Sequence, residues 1–268
     1  TCCNAACRWP RPMMLKGWCC ARLCLLRRGS NRVGSPGMPD QLSFGFPAPG
    51  LGFDDLVMSP VNESALGIVQ RPENWPTPVL CLVGPPKSGL TTIAHAWARK
   101  FGGDVFEAKA FASAKAREVD ARAATYTAID GADRVAAGDR LLSLINLVSA
   151  GAGRLLLTAN RAPPNWQAPS PDLKSRLNSM PVAEIYAPDE EMMLGRLNAA
   201  AVRHFLKLEP DALKYLVPRL DLSYEAIETF AERLSDGVTD LGRAPSVPLV
   251  KDILDSMDAD AASRAKPD

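Results

Sequence analysis

The chain has 268 residues, 47% of them hydrophobic, with a formal net charge of +1, which is enough for one α/β domain and a small second domain. The charge is uneven: seven of the 31 basic residues and none of the 30 acids fall in residues 1–37, leaving 24 basic against 30 acidic residues in the remainder. An acidic body argues against duplex DNA as the main partner, because that affinity rests largely on phosphate neutralisation, so little direct DNA contact is expected.

Six of the seven cysteines (Cys2, Cys3, Cys7, Cys19, Cys20 and Cys24) lie in this basic N-terminal stretch, and only Cys81 lies in the body. A disulfide-built fold would spread them through its core, so the body reads as a reduced, cytoplasmic protein. The cluster lacks paired C-x-x-C knuckles and a nearby histidine, which argues against zinc. The apolar stretch Met13–Leu26 is broken by Lys16 and Arg22, is too short to span a bilayer and has no small-residue cleavage site, so no membrane association is expected. Residues 1–37 read as upstream sequence, non-native or disordered, with the functional protein starting at Met38.

Residues 38–52 are rich in Pro and Gly and read as a flexible arm. The apolar run Val79–Val83 then ends in Gly84-Pro85-Pro86-Lys87-Ser88-Gly89, and helical periodicity follows over Leu90–Phe101. Strand, Gly-rich turn and helix open a parallel βαβ sheet. Further strands are expected at Asp104–Glu107, Thr125–Ile129, Arg154–Thr158 and Val182–Tyr186. A helix is expected over Asp139–Ala150, with Leu141, Leu142, Ile145 and Val148 on one face. From Pro188 the pattern is helical only: Asp189–Phe205, Pro210–Leu220, Ser223–Ser235 and Val247–Met257. The expected organisation is a five-stranded parallel α/β core over 53–187, an all-helical lid over 188–257 and a disordered polar tail over 258–268.

The Gly84–Thr91 segment fits the P-loop template G-x-x-x-x-G-K-[ST] except at one place: Leu90 stands where the lysine belongs. Its backbone N–H groups would form an anion nest at a helix N-terminus. A leucine cannot neutralise phosphate charge; Lys87, within the loop, is the alternative cation. Tyr126-Thr127-Ala128-Ile129-Asp130-Gly131 places an acid at a strand end, with Gly131 where a second acid would orient the attacking water. Asp133, two residues out of place, reads as a helix or turn cap. The candidate nucleotide contacts are Gly84, Lys87, Ser88, Gly89, Thr91, Thr92 and Asp130, with Thr91 and Asp130 as candidate Mg²⁺ ligands. ADP or ATP with Mg²⁺ is a possible cofactor, weak or absent binding is the alternative, and efficient autonomous hydrolysis is not expected. A fourth-strand tip carries Asn160, and a short helix after it carries Arg176; each also fits an ordinary solvated polar residue.

Together these segments resemble the DnaA branch of the AAA+ P-loop ATPases, and within it the DnaA-related regulators that inactivate the initiator by stimulating hydrolysis of its bound ATP. The similarity runs from about Gln41 to Leu254. Phe53-Asp54-Asp55-Leu56-Val57, with Pro60 and Asn62, looks like the segment that packs near adenine. Asn160-Arg161-Ala162-Pro163-Pro164 is similar to a D-R-P-P run, Pro171-Asp172-Leu173-Lys174-Ser175-Arg176-Leu177 to a P-D-L-x-S-R-L box, and Val247–Leu254 to a closing helix. The resemblance implies Asn160 as sensor 1 and Arg176 as an arginine finger acting in trans on a partner's ATP. It also implies that Gln41-Leu42-Ser43-Phe44-Gly45-Phe46 docks on the DNA polymerase III sliding clamp, an extended peptide entering a groove. The implied partners are the DnaA initiator and the clamp, with self-association open. Leu90 and Gly131 depart from the family, and Ser223-Tyr224-Glu225-Ala226 lacks the arginine expected at sensor 2. Two other readings stay open: an independent ATPase of the helicase-loader type, and a clamp-bound pseudo-ATPase scaffold. No DNA-binding helix-turn-helix domain is expected after the lid.

Overall fold

The computed structural model describes residues 52–135, 138–203, 208–239 and 244–264. The proposed clamp peptide Gln41–Phe46 and the cysteine-rich residues 1–37 lie outside them. Five strands, β1 (Val79–Val83), β2 (Asp104–Glu107), β3 (Tyr126–Asp130), β4 (Arg154–Ala159) and β5 (Val182–Glu184), form one sheet in the order β2-β3-β4-β1-β5. All neighbours pair parallel, with Val83 opposite Ala159 and Glu107 opposite Asp130.

Both faces of the sheet are covered, as the near-continuous apolar strands require. β1 sends Val79, Cys81 and Val83 to one face and Leu80 and Leu82 to the other, the two-residue period of a strand. On the first face pack α3 (Ala108–Ser113), α4 (Ala116–Arg122), α5 (Gly138–Ala150) and α6 (Pro171–Asn178), through Phe111, Val119, Leu144, Val148 and Leu173. On the second lie α1 (Pro60–Val69) and α2 (Leu90–Phe101), through Leu66, Ile93 and Trp97. Trp97 is fully buried and stacks on Trp75, with centroids 5.7 Å apart.

Several boundaries differ from the sequence expectation. β3 starts at Tyr126 and runs to Asp130, β4 runs on to Ala159, and β5 stops at Glu184. On α5, Leu141, Ile145 and Val148 are buried as expected, but Leu144 joins them and Leu142 is only half-buried. The helix α1 was not expected. Pro60 opens it after Ser59, and Asn62 closes the first turn: its Oδ1 accepts from the Ser59 N–H at 3.0 Å and its Nδ2 donates to the Val57 carbonyl at 2.9 Å.

After β5 the chain is helical, with α7 (Glu190–Arg203), α8 (Pro210–Leu216), α9 (Tyr224–Thr239) and α10 (Val247–Arg264). Met193, Leu197, Ile227, Phe230, Leu249 and Val250 close a third core between them. The helix α10 continues past Met257 through the turns expected to be a disordered tail; Arg233 of α9 bonds both Ser256 and Asp260, which gives those polar turns a partner. Among the described residues no helix is long and apolar enough to cross a membrane.

Candidate functional site

In an open parallel sheet, ligands bind at the carboxyl ends of the strands, and the candidate residues gather there. The loop after β1, the tips of β3 and β4, and α7 enclose a cleft of about 720 Å³. Leu56, Val57 and Leu66 give it an apolar end, while Asp130, Thr158 and Asn160 give it a polar one.

The loop takes a conformation that ordinary residues resist. Gly89 has φ +100° and opens α2. Lys87 has φ +63°, the one non-glycine residue with positive φ among the described residues. A left-handed non-glycine residue costs about 1–2 kcal/mol, so something must hold it. That holder is Arg196, which sequence reasoning missed. Its Nη1 donates to the Lys87 carbonyl at 2.9 Å and its Nη2 to the Ser88 carbonyl at 2.6 Å. Nη1 also pairs with Glu228 of α9 at 3.0 Å, and the guanidinium lies 4.4 Å from the centroid of the Tyr224 ring. Burial pushes the Arg196 pKa down, and Glu228 works against that shift. Burial likewise raises the Tyr224 hydroxyl, which donates to the Tyr186 carbonyl at 3.1 Å. Tyr224 therefore occupies the segment expected to lack a sensor 2 arginine, and an arginine from α7 reaches over it to the loop. A signal was available in sequence: on α7, Arg196 sits at helical spacing with buried Met192, Met193 and Ala200, a core-facing position where a charge demands partners.

Thr91 and Asp130 meet at the carboxyl end of β3. The Thr91 hydroxyl donates to Asp130 Oδ2 at 2.8 Å. Thr158, read only as a strand residue, completes the group: its hydroxyl donates to Asp130 Oδ1 at 2.7 Å and accepts the Gly131 N–H at 3.2 Å. Each carboxylate oxygen of Asp130 thus accepts one hydroxyl. Mg²⁺ characteristically takes one or two protein oxygens and keeps several waters, so Thr91 and Asp130 fit it. Ser88 Oγ is buried without a partner, an unmet polar group in the floor of the loop. Thr92 lines the cleft, and Lys87 is exposed at its rim. Leu90 is 9% exposed and packs into the core beneath the loop, so the lysine position is filled by an apolar contact.

Asn160 Nδ2 donates to the Gly84 carbonyl at 3.0 Å, which joins the tip of β4 to the start of the loop. Asp133 is not a cap: within a short 3-10 turn its side chain is 5% exposed and faces Arg161 Nε at 3.4 Å, leaving Oδ1 without a partner. The buried Cys81 thiol is pushed far up by burial and then by Asp133, so it is inert as a nucleophile. Arg176 stands apart: it is exposed on α6, does not line the cleft, and makes no hydrogen bond or ion pair through its guanidinium among the described residues.

No family model matches the chain. Solved structures do resemble it. Domain III of the Thermotoga maritima replication initiation protein DnaA aligns with TM-score 0.63 at 16% identity, over 78% of this chain and 97% of that one. AMPPCP-bound DnaA from Aquifex aeolicus aligns with TM-score 0.58 at 17% identity, over 73% and 68%. The Thermotoga maritima RuvB Holliday junction branch migration motor aligns with TM-score 0.54 at 18% identity, over 73% and 66%. At these identities the likeness is one of fold, and with the loop after β1 and the acid at the tip of β3 it establishes that this chain has the AAA+ fold of DnaA domain III.

Proposed function

We propose that the protein is a regulator of replication initiation of the Hda type. It docks on the sliding clamp through Gln41, Leu42, Ser43, Phe44 and Phe46, and presents Arg176 to ATP held by the DnaA initiator, stimulating its hydrolysis. The observation that carries this reading is the contrast between two places in the fold. The chain's own cleft has a leucine for the phosphate-binding lysine and a glycine for the water-orienting acid, so it is ill-suited to turnover. Arg176, by contrast, has no side-chain partner among the described residues and is exposed on a short helix, which suits a group that acts on another protein. The test is hydrolysis of DnaA-bound ATP with and without this protein and DNA-loaded clamp. Stimulation that needs both supports the proposal; an unchanged rate overturns it.

In the chain's own cleft, the residues fit ADP or ATP with Mg²⁺, a metal that would neutralise phosphate charge there. The Ser88 N–H is taken by the Pro85 carbonyl at 3.2 Å, so the N–H of Gly89 would face the phosphates, Thr91 and Asp130 would supply metal oxygens, and the apolar lining at Leu56 and Leu66 would take the base. Arg196 adds to this field indirectly. By bonding the carbonyls of residues 87 and 88 it polarises the peptides whose N–H groups belong to residues 88 and 89. Replacing Leu90 by Lys is expected to tighten ADP binding about tenfold, the scale of one charge-assisted contact. Calorimetric titration of both forms checks it; equal affinities would mean that Lys87 already serves or that the loop holds no phosphate.

The intact Thr91–Asp130–Thr158 group favours a second reading, an independent ATPase of the helicase-loader type. Turnover by the isolated protein at a rate unaffected by Arg176→Ala would select it.

The arm gives a separate expectation. Changing Gln41, Leu42 and Phe44 together to Ala should abolish capture by immobilised clamp and leave the melting temperature unchanged, because the three belong to a Pro/Gly-rich stretch of the sequence. Undiminished capture would rule the peptide out.

A further inference from the structure

Gly131 follows the strand-end acid and leaves room beside it, and the structure shows what takes that room. Gly131 has φ +72°, and a Cβ placed on it would fall 2.1 Å from Arg134 Nη2 and 2.7 Å from Arg134 Cζ and Nε. The guanidinium therefore folds back over Gly131, where a side chain at that position would begin. The turn Ala132–Arg134 makes this possible by returning the chain through the bond from the Arg134 N–H to the Gly131 carbonyl, 2.9 Å. Gly131 is itself pinned to Thr158, so the guanidinium sits at the polar end of the cleft.

The neighbouring charges are occupied. Asp130 receives the hydroxyls of Thr91 and Thr158, Asp133 faces Arg161, and Glu228 pairs with Arg196. The Arg134 guanidinium makes no hydrogen bond or ion pair among the described residues, yet the residue lines the cleft and is exposed. A guanidinium with no partner among the described residues, in the cleft that Thr91 and Asp130 also line, matches the outermost charge of a polyphosphate.

We propose that Arg134 binds the terminal phosphate of a nucleoside triphosphate in this cleft, taking the place of the acid that would activate water. The proposal rests on the nucleotide reading of the cleft and deepens it. An arginine stays protonated, so it can hold phosphate oxygens by forked hydrogen bonds but cannot take a proton from water. The cleft then grips a triphosphate without turning it over. Arg134 also supplies the charge that Leu90 withholds.

The test is calorimetric titration of the full chain, as wild type, Arg134→Ala and Arg134→Lys, with ADP and with the non-hydrolysable triphosphate AMPPCP. Wild type is expected to bind AMPPCP more tightly than ADP. Arg134→Ala is expected to weaken AMPPCP about tenfold and ADP less than about twofold, the loss of one charge-assisted contact, with Arg134→Lys in between. An unchanged ratio of the two affinities in Arg134→Ala overturns the proposal while leaving the nucleotide reading intact. Failure of wild type to bind either nucleotide overturns both. An exposed side chain without partners should not move the melting temperature, so equal melting of the three proteins assigns the change to the ligand.

Discussion

Arg176→Ala is expected to remove stimulation of ATP hydrolysis on the DnaA initiator by roughly three orders of magnitude or more, on the scale of arginine fingers in phosphoryl transfer, about 10³–10⁵. The fold shows why the effect should fall on function alone. The helix α6 is anchored by Leu173 and Leu177, each 1% exposed, and capped by Ser170, whose hydroxyl accepts the Leu173 N–H at 3.3 Å. Those residues fix the backbone, while the guanidinium of Arg176 has no partner in the described chain. Its removal should shift stability by less than about 0.5 kcal/mol and leave clamp capture unchanged. Arg176→Lys should rescue little, because an ammonium lacks the planar fork that meets two phosphate oxygens. The nearby rival, Lys174, is tied to the Pro164 carbonyl at 2.5 Å, which makes it a link between α6 and the turn before it. If Arg176→Ala stimulates at the wild-type rate, the finger assignment fails and the clamp-bound scaffold becomes the better account.

Local signals carried much of this architecture. The run Val79–Val83 is bounded by Pro78 and Gly84, and α2 is bounded by Gly89 and Gly102, both with positive φ; these punctuators were legible, and the observed limits coincide with those expected. The loop, Thr91 and Asp130 were legible because they share one chain direction and sheet edge. What could not be read was long-range pairing. Arg196 lies more than a hundred residues from the carbonyls it binds, and only its place on the apolar side of α7 hinted that it turns inward. Thr158 looked like one more strand residue until the sheet set it beside Asp130. Asp133 looked like a cap, which is the common use of an acid after a strand, whereas Arg161 across the turn recruited it. At α10 the polar composition after Met257 spoke for a loose tail, and the contact of Asp260 with Arg233 extended the helix instead.

The second large effect is expected at Arg196. Its side chain is 16% exposed and Glu228 is 31% exposed, so the pair is largely withdrawn from water. Arg196→Ala removes two charge-assisted bonds to the loop and one to Glu228, and takes away the cation beside the Tyr224 ring. Charge-assisted hydrogen bonds are worth about 1.5–3 kcal/mol each but do not add. A loss near 3 kcal/mol is therefore expected, lowering the melting temperature by roughly 6–12 °C in a chain of this size. The consequence should extend to the ligand. Lys87 would lose the bond that holds its left-handed backbone, and the N–H groups of residues 88 and 89 would lose their alignment. ADP affinity should fall at least about tenfold if one such contact is forfeited. Two further variants separate the causes. Glu228→Gln keeps the loop bonds and should reduce affinity little, while Arg196→Lys keeps the charge without the fork and should recover less than half of either loss. Thermal melting and calorimetric titration of the four proteins read both quantities. Unchanged melting and affinity in Arg196→Ala would mean that the loop holds its shape alone. Equal losses in Glu228→Gln and Arg196→Ala would place the effect in the ion pair between α7 and α9 rather than in the loop after β1.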